Sequence, residues 1–242
     1  MIDLHCHILA GLDDGPDDLD ASLEMARAHA AAGIRCVVAT PHVTHTMPND
    51  APGIAAAVAE LERSLGEEGI PLRVRRGAEI GLARAVELDD DELDALSLAG
   101  GPWKLVEAPL HASDDVVAEL RELQRRGHRL LIAHPERSPV FQRNADALAG
   151  LVAAGALVQV TAGSLVGHFG GPVQRVARDF VHRGLADVVA SDAHDTSRRA
   201  PGLHAEIAKA GLGDRAAWLT RVVPAALVGE RPLPAALRAR AA

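Results

Sequence analysis

The chain has 242 residues and a formal net charge of −8 at pH 7, a length that suits one barrel-sized domain spanning residues 1–242. An acidic chain without Lys and Arg clusters between aromatic residues is a poor ligand for phosphate backbones, which argues against nucleic acid as a partner. The apolar runs are too short for a membrane span and two cysteines make no disulfide framework, so we expect a cytoplasmic protein without membrane insertion.

Seven apolar runs rich in β-branched residues are predicted strands, in the order 2–7, 35–41, 72–80, 104–109, 130–135, 157–161 and 187–191. Helical patterns separate most of them, at 20–32, 54–65, 116–126, 144–154 and 173–183. The tail after Asp214 predicts two short helices broken by Pro224 and by a turn at Pro232–Pro234. Strands that are apolar throughout and alternate with helices indicate a parallel sheet covered on both faces. At this length the pattern predicts an α/β fold closed into a barrel.

Histidines and carboxylates stand at the C-terminal ends of the predicted strands. Because residues i and i+2 of a strand point to one side, His5 and His7 can reach one metal ion while Cys6 faces away. Further candidates follow the other strands or the turn after the first one: Asp14, His42, Glu79, Glu107, His134, Asp192 and His194. Strand ends converge on one face of a barrel, so these side chains should meet there.

The candidate set predicts a site with more than one metal ion. A catalytic zinc ion takes three protein ligands, so nine candidates indicate two or three divalent ions. Mixed nitrogen and oxygen ligands suit manganese, iron or zinc. Two neighbouring ions activate water and stabilise phosphate charge, which predicts phosphoester hydrolysis by direct attack of a metal-bound hydroxide. Arg137, close to His134, is the first candidate for a phosphate contact, and Arg199 is the second.

The other polar residues fit structural roles. Asp13 is expected to shape the turn after the first strand. His29 and His182 lie in helical patterns and are expected to be solvated. His45 and His111 lie in loops on the active face, and the sequence leaves open whether either contributes to the site.

The order of motifs resembles that of the polymerase and histidinol phosphatase (PHP) superfamily, and within it the bacterial tyrosine-protein phosphatases of the CpsB/CapC type. The motifs are MIDLHCHI at 1–8, LDDGP at 12–16, ATPH at 39–42, AHPER at 133–137, GSLVGHFG at 163–170 and SDAH at 191–194. This sequence departs from many members at Val43, Gly81 and Ala108, where they carry a histidine, an aromatic or basic residue, and an aromatic residue respectively. The rim of the pocket is therefore expected to differ.

The resemblance implies a distorted (β/α)7 barrel of mostly parallel strands with up to three metal ions, most often Mn2+. It implies hydrolysis of phosphotyrosine on a bacterial tyrosine kinase that controls capsule or exopolysaccharide synthesis. The implied metal ligands are His5, His7, Asp14, His42, Glu79, Glu107, His134, Asp192 and His194. Arg137 and Arg199 would hold the phosphate, and Asp14 would act in catalysis as well as in metal binding.

Several other functions compete with this one. A phosphatase of small metabolites, such as histidinol phosphate or a sugar phosphate, would share the site, but the short loops favour a protein substrate. A metallo-amidohydrolase would need a lysine at the site, and neither Lys104 nor Lys209 is well placed. A thiol phosphatase needs arginine at the sixth position after its cysteine, where Leu12 and His42 stand instead. A metal-binding protein that docks a kinase without catalysis, and the oligomeric state, are not decided by sequence.

Overall fold

The computed structural model describes residues 1–238, so residues 239–242 of the predicted domain lie outside the described range. Within it the strands are β1 Ile2–Cys6, β2 Cys36–Ala39, β3 His42–Val43, β4 Arg73–Arg76, β5 Glu79–Gly81, β6 Trp103–Glu107, β7 Arg129–Ala133, β8 Leu157–Thr161 and β9 Val188–Ala190. Neighbouring strands pair in parallel throughout both sheets.

The helices lie between and after the strands. They are α1 Leu19–Ala31, α2 Ala51–Glu67, α3 Leu82–Ala85, α4 Asp90–Ala95, α5 Val116–Arg125, α6 Pro139–Arg143, α7 Ala145–Ala153, α8 Ala162–Val166, α9 Gly171–His182, α10 Leu203–Lys209, α11 Gly213–Ala217, α12 Val223–Leu227 and α13 Ala235–Arg238. Side chains of Asp18, Asp50 and Asn144 accept hydrogen bonds from the first turns of α1, α2 and α7, which satisfies amides that lack a helical partner. Across residues 1–238, each helix is too short or too polar to cross a membrane.

Two sheets close into one distorted barrel. Their strand orders are β1-β2-β4 and β3-β5-β6-β7-β8-β9. The chain passes from one sheet to the other between β2 and β3, and again between β4 and β5. β9 returns to β1 through a parallel bridge between Cys6 and Ala193, with the backbone N of His7 donating to the Ala193 carbonyl at 2.9 Å. Counting β2 with β3 and β4 with β5 as one strand position each, the barrel wall has seven strand positions. This confirms the predicted (β/α)7 architecture with mostly parallel strands.

Two segments predicted to be single strands are each divided into two strands in the structure. Segment 35–41 divides into β2 and β3, and segment 72–80 divides into β4 and β5. Gly77 lies at the second division, where a Cβ atom would stand 2.7 Å from Cγ1 of Val38. The close approach of β2 at this point leaves room for glycine alone, and the chain turns there onto the second sheet.

The core has two layers that follow the alternation of side chains in the strands. Leu105 and Leu131 belong to an inner cluster that also contains Leu227 of α12, so the C-terminal helices close the barrel end opposite the site. Val106 and Ile132 belong to an outer cluster under the surrounding helices. With few aromatic residues, branched aliphatic side chains fill both layers, as is usual inside barrels of this type.

The predicted break at Pro232–Pro234 is confirmed, because α12 ends at Leu227 and α13 begins at Ala235, but the predicted helix break at Pro224 is wrong. Helical structure continues from α11 through a π-helical segment, Trp218–Val222, into α12, and Pro224 lies in the first turn of α12. Proline has no N–H to donate and its ring crowds the preceding turn. The wider π turn ahead of Pro224 accommodates both effects, so the chain continues as a helix.

Candidate metal centre

The carboxylate of Glu79 lies at the middle of the convergent strand ends. Its Oε2 atom stands 3.2 Å from Nε2 of His5, 3.3 Å from Nε2 of His7 and 3.1 Å from Nδ1 of His42. Its Oε1 atom stands 2.7 Å from Nε2 of His134. Residues from four separate strand regions therefore meet at one carboxylate, because the barrel brings their C-terminal ends to the same face.

All nine predicted ligands fall into four overlapping groups of potential metal-binding atoms. Within each group the ligand atoms lie within 4.8 Å of one another. The groups are His7, Asp14, His42 and His194; His5, His134 and Asp192; His5, His7 and Glu79; and His42, Glu79 and Glu107. Shared members link neighbouring groups, an arrangement that fits two or three ions with bridging carboxylates.

Buried atoms without partners test whether these residues fit metal ions. Oε2 of Glu79, Oδ1 of Asp192, Nδ1 of His42 and Nε2 of His194 are all buried, and although each lies within 3.4 Å of an oppositely chargeable atom, none makes a hydrogen bond. A buried polar atom left unpaired costs about 1–3 kcal/mol, more if charged. Several such atoms facing one cluster are unfavourable in a protein alone, and divalent cations among them would remove this cost. The donor set therefore fits metal binding.

The pKa values of the two glutamates in the cluster also favour bound cations. Burial and the nearby charge of Glu79 raise the pKa of Glu107 to about 8. Burial opposes ionisation of Glu79 as well, but the charges of His5 and His134 hold its pKa well below the usual value. Two neighbouring carboxylates in a low-dielectric site both ionise only when positive charge compensates them. Bound cations would supply that charge.

Two further residues orient the imidazoles. Nδ1 of His7 donates to Oδ2 of Asp13 at 2.6 Å, and Nδ1 of His5 donates to Oε1 of Gln159 at 2.9 Å. Each bond directs the Nε2 atom of its ring toward the cluster, as partners of metal-binding histidines commonly do. Asp13 does shape the turn as predicted, because Oδ1 accepts from the backbone N of Gly15 at 3.0 Å. The sequence did not predict the bond from His7 to Asp13 or the bond from His5 to Gln159. The one indication in the sequence was that Gln159 is a polar side chain within an apolar strand.

The two predicted phosphate-binding arginines meet at one oxygen atom. Nη1 of Arg137 lies 2.7 Å from Oδ2 of Asp192, and Nη2 of Arg199 lies 2.6 Å from the same atom. Oδ1 of Asp192 faces the imidazoles, 3.4 Å from His5. The ring of Phe169, a residue of the 163–170 motif for which the sequence predicted no role, lies 4.6 Å from the guanidinium carbon of Arg137, within the range of a cation–π contact. Asp192 thus joins the metal-ligand cluster to the guanidinium pair.

Backbone strain coincides with this site. His134 and Asp192 have φ angles of 27° and 54°, values that non-glycine residues rarely adopt. Among residues 1–238 the one other non-glycine residue with positive φ is Ala99. Such conformations cost about 1–3 kcal/mol each and persist where surrounding structure imposes them, most often at functional sites.

The prediction for His29 is wrong. His29 is fully buried beneath β1, with Nε2 3.2 Å from Sγ of Cys6 and Nδ1 3.9 Å from Oδ2 of Asp3. It lies on the inward face of α1, which the sequence alone did not distinguish from the solvated face. His182 is exposed, as predicted. Cys6 faces the outer core, away from the cluster, as the strand alternation predicted.

The remaining candidates lie outside the cluster. His45 and His111 are exposed on the rim, and His45 pairs with Glu87 at 2.8 Å. Lys104 is buried at the N-terminal end of β6, where it pairs with Asp94, and Lys209 is exposed on α10. The chain therefore has no lysine at the site, which removes the basis for a lysine-bridged amidohydrolase centre.

Comparisons with known proteins agree with this geometry. Residues 1–212 match the model of the family described as capsular polysaccharide synthesis, CpsB/CapC. The chain is 39% identical over 201 residues to the tyrosine-protein phosphatase YwqE of Bacillus subtilis, covering 82% of this chain and 79% of that protein. It is 31% identical over 203 residues to the CapC protein of Staphylococcus aureus, covering 82% and 79%.

A solved structure gives the same result. It comes from a study of YwqE from Bacillus subtilis and CpsB from Streptococcus pneumoniae, which that work describes as metal-dependent tyrosine phosphatases. The two folds superpose with a TM-score of 0.85 at 34% identity, over 97% of this chain and 96% of the other. The match extends over the barrel, and the family model includes every predicted ligand. This chain belongs to the CpsB/CapC family.

Proposed function

We propose that this chain is a metal-dependent protein-tyrosine phosphatase, a hydrolase of phosphoric monoesters. The observation that carries the proposal is the convergence of four groups of potential ligands with two guanidinium groups on one face of the barrel. Metal ions beside fixed arginines suit a phosphate group, which carries several charged oxygens. The family relationship to tyrosine phosphatases supports the choice of phosphotyrosine.

The nine residues of the four groups are the proposed metal ligands. When bound there, divalent ions supply a lowered pKa for the attacking water and positive charge against the phosphate oxygens. Manganese is our choice, with iron and zinc as alternatives, because imidazole and carboxylate ligands together accept all three. Elemental analysis of protein purified from cells supplied with each metal measures how much of each metal the protein binds and so tests this assignment.

The side chains of this chain have distinct proposed roles. Arg137 and Arg199 donate to phosphate oxygens, and Asp192 holds the two guanidinium groups side by side. The imidazole of His194, whose Nε2 lies 3.2 Å from Oδ1 of Asp14, lowers the pKa of Asp14 below its usual value, so Asp14 is an ionised acceptor at the rim that can orient the attacking water. The oxygen of a water molecule forms a bond to phosphorus as the bond between phosphorus and the phenolate oxygen breaks, one water proton is released to solvent, and no covalent enzyme intermediate forms. Since tyrosine has a pKa of about 10, its phenolate leaves with little help from a general acid.

The proposed partner is a phosphotyrosine protein, specifically a bacterial tyrosine kinase in capsule or exopolysaccharide regulation. The family's description in capsular polysaccharide synthesis supports this partner. Two free, buried cysteines support a cytoplasmic location, where thiols stay reduced. Deletion of the gene should raise phosphotyrosine on the kinase, and unchanged phosphotyrosine would contradict this assignment.

The first test combines metal content with substrate choice. The purified protein should contain two or more metal ions per chain, and with added manganese it should hydrolyse a phosphotyrosine peptide faster than histidinol phosphate. A preference for histidinol phosphate would keep the metal centre and change the substrate to a small metabolite. Absence of both metal and activity would contradict the proposed enzyme altogether and favour a binding role.

A further inference from the structure

A groove of about 220 Å³ leads from the metal centre to the rim of the barrel. Glu107, a member of the ligand cluster, lies at its inner end. The loops after β3, β5 and β6 form its walls, with Leu82, Pro109 and Leu110 as apolar surfaces and His111 near the mouth. The groove is also lined by His45 and Arg84, and both of these side chains pair with Glu87. The groove is therefore continuous with the site at which the phosphate is proposed to bind.

Leu110 is exposed to an unusual degree. Its side chain is 46% exposed, and Val222 is the one other large hydrophobic residue exposed in residues 1–238. Leu110 follows the strand that carries Glu107, so this apolar surface stands directly beside the proposed reaction centre. Burying it against an apolar ligand group is favourable by removal of its surface from water.

The size and openness of the groove suit an aromatic ring. A cavity of about 150 Å³ with apolar walls is large enough for benzene. Gly81 lines the groove, and a Cβ atom there would lie 3.2 Å from Cγ2 of Thr44 on the facing loop. A side chain at this position would therefore narrow the gap between the two walls, which glycine leaves open.

The cavity on the other side of the site has a different character. It measures about 220 Å³, and beside Phe169 and Ala200 it is lined by the charged groups of Asp192, Arg198, Arg199 and Glu206. An aromatic ring there would cover charged groups without satisfying them, which is costly. The groove beside Leu110 therefore fits a phenyl ring better, because it exposes a large apolar side chain and its His45 and Arg84 side chains are already paired with Glu87.

We infer that the groove between Gly81 and Leu110 is the subsite for the phosphotyrosyl ring, and that Leu110 determines specificity for aromatic over alkyl phosphoesters. This inference rests on the proposed function. With the phosphate at the metal ligands and Arg137, the ring lies against Leu110 and Pro109, and the peptide leaves the site at the rim.

The test compares Leu110→Ser with Val222→Ser, which removes the other exposed hydrophobic side chain away from the site. With manganese-loaded protein and a phosphotyrosine peptide, Leu110→Ser should raise KM about tenfold, since loss of apolar contact in a pocket has effects of this order. The inhibition constant of inorganic phosphate should stay the same, because phosphate alone does not reach the groove. Discrimination against a phosphoserine peptide of the same sequence should fall about tenfold.

Two more variants separate ring binding from general damage. Leu110→Met should restore the KM for the phosphotyrosine peptide, and Gly81→Val should raise KM by narrowing the groove. Unchanged KM and unchanged discrimination in Leu110→Ser would overturn the subsite while leaving the phosphatase intact. If the unmodified protein fails to hydrolyse phosphotyrosine, the proposed function itself is wrong.

Discussion

The Nδ1 atom of His7 lies 2.6 Å from Oδ2 of Asp13, a bond that ties the end of β1 to the turn that follows it. The same oxygen accepts from the backbone N of His42 at 3.0 Å. One carboxylate therefore positions two of the proposed metal ligands, one through its ring and one through its backbone. A proton held on Nδ1 leaves Nε2 of His7 as a free donor atom for a metal ion.

Asp13→Asn should weaken metal binding by about 10–100-fold, the usual effect of losing a partner of a metal-binding histidine. The amide keeps the size of the side chain but removes the charge that fixes the ring of His7. Calorimetric titration of metal-free protein with Mn2+ measures the affinity. Asp17→Asn is the matched control, because Asp17 is exposed in the same turn. Equal affinities in the two variants would mean that Asp13 serves the turn alone.

Glu107→Gln should release metal and lower turnover by more than about 100-fold, since direct ligands matter more than their hydrogen-bond partners. Elemental analysis and hydrolysis of a phosphotyrosine peptide measure the two effects. Glu60→Gln, at an exposed position on α2, should change neither quantity. Intact metal content and turnover in Glu107→Gln would remove this residue from the site.

Phe169→Leu should raise KM for the phosphopeptide about three- to tenfold, the range expected for a partly buried cation–π contact with Arg137. The aromatic face limits the positions open to the guanidinium group, so its loss should affect phosphate binding before it affects turnover. Phe169→Trp should preserve binding. In protein that already carries Arg137→Lys, Phe169→Leu should raise KM by a smaller factor. If the two substitutions instead raise KM independently, so that their effects multiply in full, Phe169 does not act through Arg137.

Burial of His29 should make the fold sensitive to acid. Burial lowers the pKa of His29 to about 3, whereas the unfolded chain takes up this proton near pH 6.5. As pH falls from about 6.5 towards 3, the unfolded state gains a proton that the folded state excludes, so stability decreases by up to about 1.4 kcal/mol per pH unit. His29→Gln should therefore be less destabilising at pH 4.5 than at pH 7.5.

Denaturant unfolding of metal-free protein across this pH range measures the difference. The control is His182→Gln, because His182 lies on the exposed face of another helix. Its unfolding free energy should run parallel to that of the unmodified protein. A constant difference between His29→Gln and the unmodified protein at all pH values would contradict neutral burial of His29.

The candidate ligands were predictable because strand ends can be located by apolar runs. His5 and His7 follow from alternation in one strand, and Glu79 and Glu107 stand out as carboxylates at the ends of apolar segments. The barrel geometry then implies that they meet. The orienting contacts were harder to foresee, since Gln159 approaches His5 across the barrel and Phe169 approaches Arg137 from a separate loop.

The sequence by itself determined the order of the seven strand regions, the longer helices between them and the residue types at each strand end, because these depend on local periodicity and on composition. The short helices α3, α4, α6, α8 and α10 were not predicted, since four to seven residues give too little periodicity. Only the tertiary structure decided which neighbour each side chain meets. The division of segment 72–80 at Gly77 depends on how closely β2 approaches, and the burial of His29 depends on which face of α1 packs on β1. These contacts join residues far apart in the chain, and their distances are set by packing of the whole barrel rather than by any local pattern.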